Sequence, residues 1–143
     1  RLPQRYQQEP TPVAEALDIA KTCARYADDL RAEDILVIDL RGLSSITDFF
    51  VICTGTSTPH LKAIRRDISQ KVAEEIDEKP RSVEGDPESH WLVVDFVDVI
   101  VHVFHEDKRA VYGLEDLWKD APRVSLDFLP APTQPGTGSS DEA

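Results

Sequence analysis

Apolar residues recur at three- and four-residue steps through Val13, Ala16, Leu17, Ala20, Cys23, Ala24, Ala27 and Leu30, with Glu15, Asp18, Lys21, Arg25 and Asp28 on the opposite side. This is the one-sided stripe of a helix that ends near Leu30. Thr11-Pro12 offers its start, a hydroxyl to cap the first turn and a proline suited to the first helical position. Ile35 to Leu40 and Phe49 to Thr54 are short, nearly continuous apolar runs on either side of an Arg41-Gly42 turn. Such runs suit well-buried strands. Gly55 ends the second run, and Thr56-Ser57-Thr58-Pro59 opens another helix whose inner stripe is Leu61, Ile64, Ile68, Val72 and Ile76.

Pro80 breaks that stripe, and Arg81 to Gly85 reads as a short edge strand followed by the acidic loop Asp86 to His90. Trp91 to Phe96 and Val99 to Phe104 flank Val97-Asp98, a hairpin by its length. Alternation places Leu92 and Val94 on one sheet face and Trp91, Val93 and Asp95 on the other. A last helix is expected from Lys108 to about Trp118. Asp107 and Glu106 precede it, where the helix dipole favours acid. Within it, Trp118 shares a core-packing period with Val111, Leu114 and Leu117. The order α-β-β-α-β-β-β-α predicts one α/β domain over residues 13–118, a mixed sheet of about five strands with helices packed on it. Residues 1–12 read as a flexible leader. Residues 119–143 read as a mostly disordered tail rich in Pro, Gly and Ser, although Val124, Leu126 and Phe128 could strap back onto the domain.

A chain of 143 residues can bury one sizeable core, and 41% apolar with 30% charged residues is ordinary for a globular protein. No stretch approaches the ~18 uninterrupted apolar residues of a membrane span. The sequence begins at Arg1 and contains no methionine, which leaves a trimmed N-terminus and a lost targeting segment both open. The net charge of −11 argues against gripping nucleic acid through its phosphates, which takes an excess of Lys and Arg. It suits a basic protein partner. The one basic cluster, Lys62, Arg65, Arg66 and Lys71 on the second helix, lacks interleaved aromatics and reads as a solvated face. Cys23 and Cys53 lie far apart on apolar stretches, as buried free thiols do.

Catalytic patterns are thin. Thr54-Gly55-Thr56-Ser57, between a strand and a helix N-terminus, is where an α/β protein would hold a phosphate. No GxGxxG and no Gly-Lys-Ser/Thr accompanies it. Paired carboxylates for two metal ions are missing as well, because Asp95 and Asp98 face each other across a turn. The four histidines have no metal-ligand spacing, and His102 and His105 should point to opposite faces. No G-x-S-x-G elbow is present. The sequence reading is therefore of a non-enzyme with no catalytic residue, no cofactor and no metal.

Five segments in fixed order carry more. Ser44-Ser45-Ile46-Thr47-Asp48 precedes one strand and Ile52-Cys53-Thr54-Gly55-Thr56-Ser57 follows it. Trp91-Leu92-Val93-Val94-Asp95, Asp98-Val99-Ile100-Val101-His102-Val103-Phe104 and Arg109-Ala110-Val111-Tyr112-Gly113-Leu114-Glu115-Asp116-Leu117-Trp118 come after. Together they resemble the ribosomal silencing factor (Iojap-type) family, over residues 34–118. The resemblance implies a nucleotidyltransferase-like core that binds a basic protein of the large ribosomal subunit at the subunit interface and sterically blocks joining of the small subunit. Carried over by motif position, the partner-binding residues would be Trp91, Asp95, Asp98, His102, Arg109, Tyr112, Leu114 and Glu115, with Arg109 and Glu115 open to being partly an internal ion pair. Little direct nucleic-acid contact is expected, a homodimer is left open, and bacterial cytoplasm is the default setting with an organellar origin open. The family usually carries Gly where Val97 stands, so the turn type at Val97 is unsettled. The alternative function is a nucleotidyltransferase-like protein binding nucleotide at the Thr54–Ser57 turn.

Overall fold

The computed structural model describes residues 15–130, 132 and 134. The leader and the Thr11-Pro12 helix start lie outside these residues. The elements are α1 (Ala16–Asp29), β1 (Glu33–Asp39), β2 (Phe49–Gly55), α2 (Thr58–Ile76), β3 (Ser82–Glu84), β4 (Trp91–Asp95), β5 (Val99–His105), α3 (Glu106–Tyr112) and α4 (Leu114–Leu117), with a single 3-10 turn at Pro87–Ser89. The strands form one five-stranded mixed sheet in the order β1-β2-β5-β4-β3. Only β2 and β5 run parallel, in register from Phe49 opposite Val99 to Gly55 opposite His105. The other pairs are antiparallel.

Each strand sorts its side chains to two faces, and the two faces differ. On one, Val37, Phe49, Val51, Cys53, Leu92, Val94, Val99, Val101 and Val103 meet the inner stripes of α1 and α2 in the main core. Each such aliphatic contributes about 1.5–3 kcal/mol on full burial. On the other face a smaller cluster of Ile38, Leu40, Ile52, Phe104 and Ala121 is flanked by half-buried Leu36, Phe50, Trp91, Leu114 and Trp118. The alternation expected in β4 holds: Leu92 and Val94 are buried, while Trp91, Val93 and Asp95 are half-exposed on the opposite face. Cys23 and Cys53 are buried free thiols, and burial pushes the Cys53 thiol up to about 12.

One expectation changes. The last helix is not continuous from Lys108 to Trp118; it begins at Glu106 and breaks at Gly113, whose φ of 59° caps α3 and starts α4. Only glycine takes that left-handed conformation at little cost. Val111 and Leu117, 70% and 72% exposed, are consequently turned to solvent, whereas Leu114 and Trp118 pack on the sheet. The strap that Val124, Leu126 and Phe128 could form is present after residue 118 among the described residues. Asp39 donates its N–H to the Pro122 carbonyl at 2.8 Å and Val124 donates to Val37 at 2.9 Å, while Leu126 is buried in the main core. This strap covers the outer edge of β1, whose N–H and C=O groups would otherwise lack partners. Among the described residues no helix is long and apolar enough to cross a membrane.

Candidate partner-binding surface

The second sheet face carries the aromatic groups. The Trp91 ring stacks 5.2 Å from Phe104 and lies 4.3 Å from Tyr112, whose side chain is 46% exposed. Behind Trp91, its indole N–H donates to Nδ1 of His102 at 3.1 Å. That bond fixes the proton of neutral His102 on Nε2, which is buried and has no partner among the described residues. Phe50 stands edge-on to the same imidazole at 4.5 Å. Burial holds His102 down to about 4, well below an ordinary histidine, so it is uncharged near neutrality. Its part is to fix the Trp91 indole.

Arg109 is a positioning group. Its guanidinium forks onto Glu115 at 3.1 Å for both contacts and also donates to the Asp34 carbonyl at 2.6 Å and to Thr54 Oγ1 at 2.8 Å. One side chain thereby ties α3, α4, the start of β1 and the end of β2 together. The internal Arg109–Glu115 pair raised by the sequence is present, so neither residue offers a free charge. A groove of about 560 Å³ beside them is lined by Asp34, Leu36, Glu115, Leu129 and Pro130, and its guanidinium is already engaged.

The eight residues singled out by sequence do not form one patch. Trp91, His102, Tyr112 and Leu114 gather around the second cluster, with Arg109 and Glu115 bracing α3 and α4. Asp95 and Asp98 lie at the far end of the hairpin, four residues or about 13 Å along β4 from Trp91. There Asp95 accepts from Arg81 at 2.7 Å and from the Val97 N–H at 2.7 Å, so its carboxylate is spoken for. Asp98 is exposed, and its carbonyl receives the N–H groups of Asp48 and Phe49. What sequence reasoning missed is the pair Val111 and Leu117, which its periodicity had assigned to the core.

The turn at Thr54–Ser57 is already filled by the chain itself. Thr56 donates its N–H to Nδ1 of His60 at 2.9 Å, Ser57 Oγ caps the His60 N–H at 3.2 Å, and the other ring nitrogen of His60 lies 2.7 Å from the Leu30 carbonyl. A Cβ on Gly55 would come within 2.6 Å of the Leu61 side chain. A phosphate at this helix start would have to displace those contacts, which weighs against the nucleotide-binding alternative. Three of the four basic residues of α2 have partners within the chain. Lys71 and Arg66 flank Asp67 at 3.1 and 3.5 Å, and Arg65 reaches the Gly85 carbonyl.

Comparison with known proteins agrees with the motifs. Residues 13–143 match the family described as ribosomal silencing factor during starvation. The ribosomal silencing factor RsfS of Bacillus subtilis (strain 168) is 47% identical over 110 residues, 77% of this chain and 92% of that protein. The chloroplastic protein Iojap of Zea mays is 36% identical over 121 residues, 80% of this chain and 50% of that protein. A crystal structure from Bacillus halodurans superposes with a TM-score of 0.61 at 39% identity, covering 77% of this chain and 96% of the other. On motifs, fold and sequence alike, the chain belongs to the ribosomal silencing factor family.

Proposed function

We propose that this domain binds the large ribosomal subunit through a basic ribosomal protein at the subunit interface and represses translation by sterically blocking the small subunit. The observation that carries the reading is the exposed apolar set on α3 and α4, Val111, Tyr112 and Leu117, of which Tyr112 lies against Trp91, interspersed with exposed Glu106, Asp107 and Asp116. Aromatic and apolar anchors rimmed by acid suit a basic protein surface better than a phosphate backbone. The net charge of −11 points the same way. In this reading Trp91, Tyr112, Val111 and Leu117 touch the partner. His102, Arg109, Leu114 and Glu115 hold those groups in place, while Asp95 and Asp98 shape the distant hairpin end. Exclusion needs no catalysis, because occupancy of the joining face shifts the association equilibrium by mass action.

Co-sedimentation with purified large and small subunits, followed by a subunit-joining assay, tests this. The parent chain is expected to pellet with the large subunit alone and to lower the yield of joined ribosomes. Val111→Glu combined with Leu117→Glu, both on exposed positions, should weaken binding at least tenfold, about 1.4 kcal/mol, and restore joining. Equal binding by the double variant would reject the surface. Absence of selective large-subunit binding by the parent would reject the function, and self-association through this face would appear instead as concentration-dependent mass.

A further inference from the structure

Beside that aromatic face, the hairpin end opposite Val97 brings His90 together with His105 and Asp107. His90 takes a left-handed φ of 64° at the end of the Pro87–Ser89 turn. Its carbonyl accepts the His105 N–H at 3.0 Å, immediately beyond the Trp91–Phe104 pair. The two imidazole rings thus lie side by side with centroids 4.6 Å apart. Both turn Nδ1 to one carboxylate in the first turn of α3: His90 Nδ1 is 3.0 and 3.1 Å from the Asp107 oxygens, and His105 Nδ1 is 2.9 Å from one of them. The one potential ligand atom of each residue lies within 4.8 Å of the others.

We propose that His90, His105 and Asp107 form a binding site for a zinc-class divalent transition metal. Two neutral imidazole nitrogens and one carboxylate oxygen are borderline donors that suit zinc and its neighbours rather than magnesium or calcium, which take oxygen ligands. Three protein ligands leave a fourth position for water, and the partial exposure of all three side chains, 29%, 22% and 48%, leaves room for one. Donors about 2.1 Å from a tetrahedral ion lie about 3.4 Å apart, so the nitrogens and oxygens need part by only a few tenths of an ångström. His105 Nδ1 sits 3.3 Å from the Asp107 N–H, from which it would accept, while also facing the Asp107 carboxylate, to which it would donate. One nitrogen cannot do both; a cation would take its lone pair and bind the carboxylate, leaving the Asp107 N–H to solvent. The remaining histidines are committed elsewhere: both ring nitrogens of His60 have contacts, and His102 is buried under Trp91. The metal would clamp the start of α3 to the β4–β5 hairpin.

The test is titration of zinc chloride into the full untagged chain at neutral pH, followed by calorimetry and by NMR of the imidazole signals. One zinc per chain is expected, shifting His90 and His105 and leaving His60 and His102 unmoved. His90→Asn keeps a residue that tolerates the left-handed backbone, and Asp107→Asn keeps the side-chain shape. Each should weaken binding by at least about tenfold, the lower bound seen even for losing an outer partner of a metal ligand, while Glu74→Gln changes nothing. No binding up to about millimolar zinc, or binding of unchanged affinity in both variants, would overturn the site. Should either variant fail to fold, the parent NMR titration decides alone: zinc shifts confined to other residues would also overturn it.

Discussion

At the scale of single residues, Val97 sits in a strained turn between β4 and β5. Its φ is 77°, its N–H is tied to Asp95, and Asp98 donates back to the Phe96 carbonyl at 3.0 Å. This i to i+2 bond around a positive φ is the rarer, strained form of γ-turn, and a β-branched side chain there is an outlier. Val97→Gly should relieve about 1–3 kcal/mol of strain against ~0.4–1 kcal/mol of added unfolded-chain entropy. A net gain of about 1 kcal/mol, seen as a melting temperature higher by about 4 °C, is expected; a fall would mean that Val97 packs usefully. His102 sets a pH dependence. Its folded value, about 4, lies below the ordinary 6.5, so the unfolded chain binds the extra proton between those limits. Stability is complete above pH 6.5 and falls as pH drops toward 4. About 2 kcal/mol should be lost by pH 5. Urea unfolding at pH 7 and pH 5 measures the slope, and His102→Phe should flatten it.

At the scale of elements, the sheet and its two long helices were legible because their apolar periods are strong and their ends are marked by Pro59, Gly55 and Pro80. The last helix was misread for a local reason. Val111, Leu114, Leu117 and Trp118 keep helical spacing, but Gly113 resets the backbone between them and turns two of the four outward. What holds the resulting pair of short helices is Arg109 rather than a continuous apolar stripe. Arg109→Ala leaves Glu115, Asp34 and Thr54 without their shared donor and should cost about 2–4 kcal/mol, as breaking a partly buried pair does. The loss should appear as faster amide exchange across α3 and α4 ahead of the rest of the chain. Arg109→Lys should recover only part of it, because an ammonium lacks the planar fork. Uniform exchange in the alanine variant would show that the helices dock without this group.

At the scale of the whole molecule, the strap from Pro122 to Leu129 closes a sheet that would otherwise end in an open edge at β1. Ending the chain after Asp120 removes the two backbone bonds to β1 along with buried Ala121 and Leu126. Sedimentation should then show concentration-dependent association, with stability lower by about 3 kcal/mol; a monomer of unchanged stability would make the strap incidental. The α/β class, the strand and helix order, the buried thiols and the family were legible in the residues alone, because they follow from periodicity, punctuation and motifs carried within short windows. Packing in three dimensions set which carboxylates and guanidinium are engaged, that Val111 and Leu117 face solvent, that His60 fills the Thr54–Ser57 turn, and that His90 meets His105 and Asp107. The longest-range of these outcomes rest on contacts such as Asp34 to Arg109, 75 positions apart, and His90 to Asp107, 17 apart, and on backbone turns at Gly113 and His90, which no local pattern encodes.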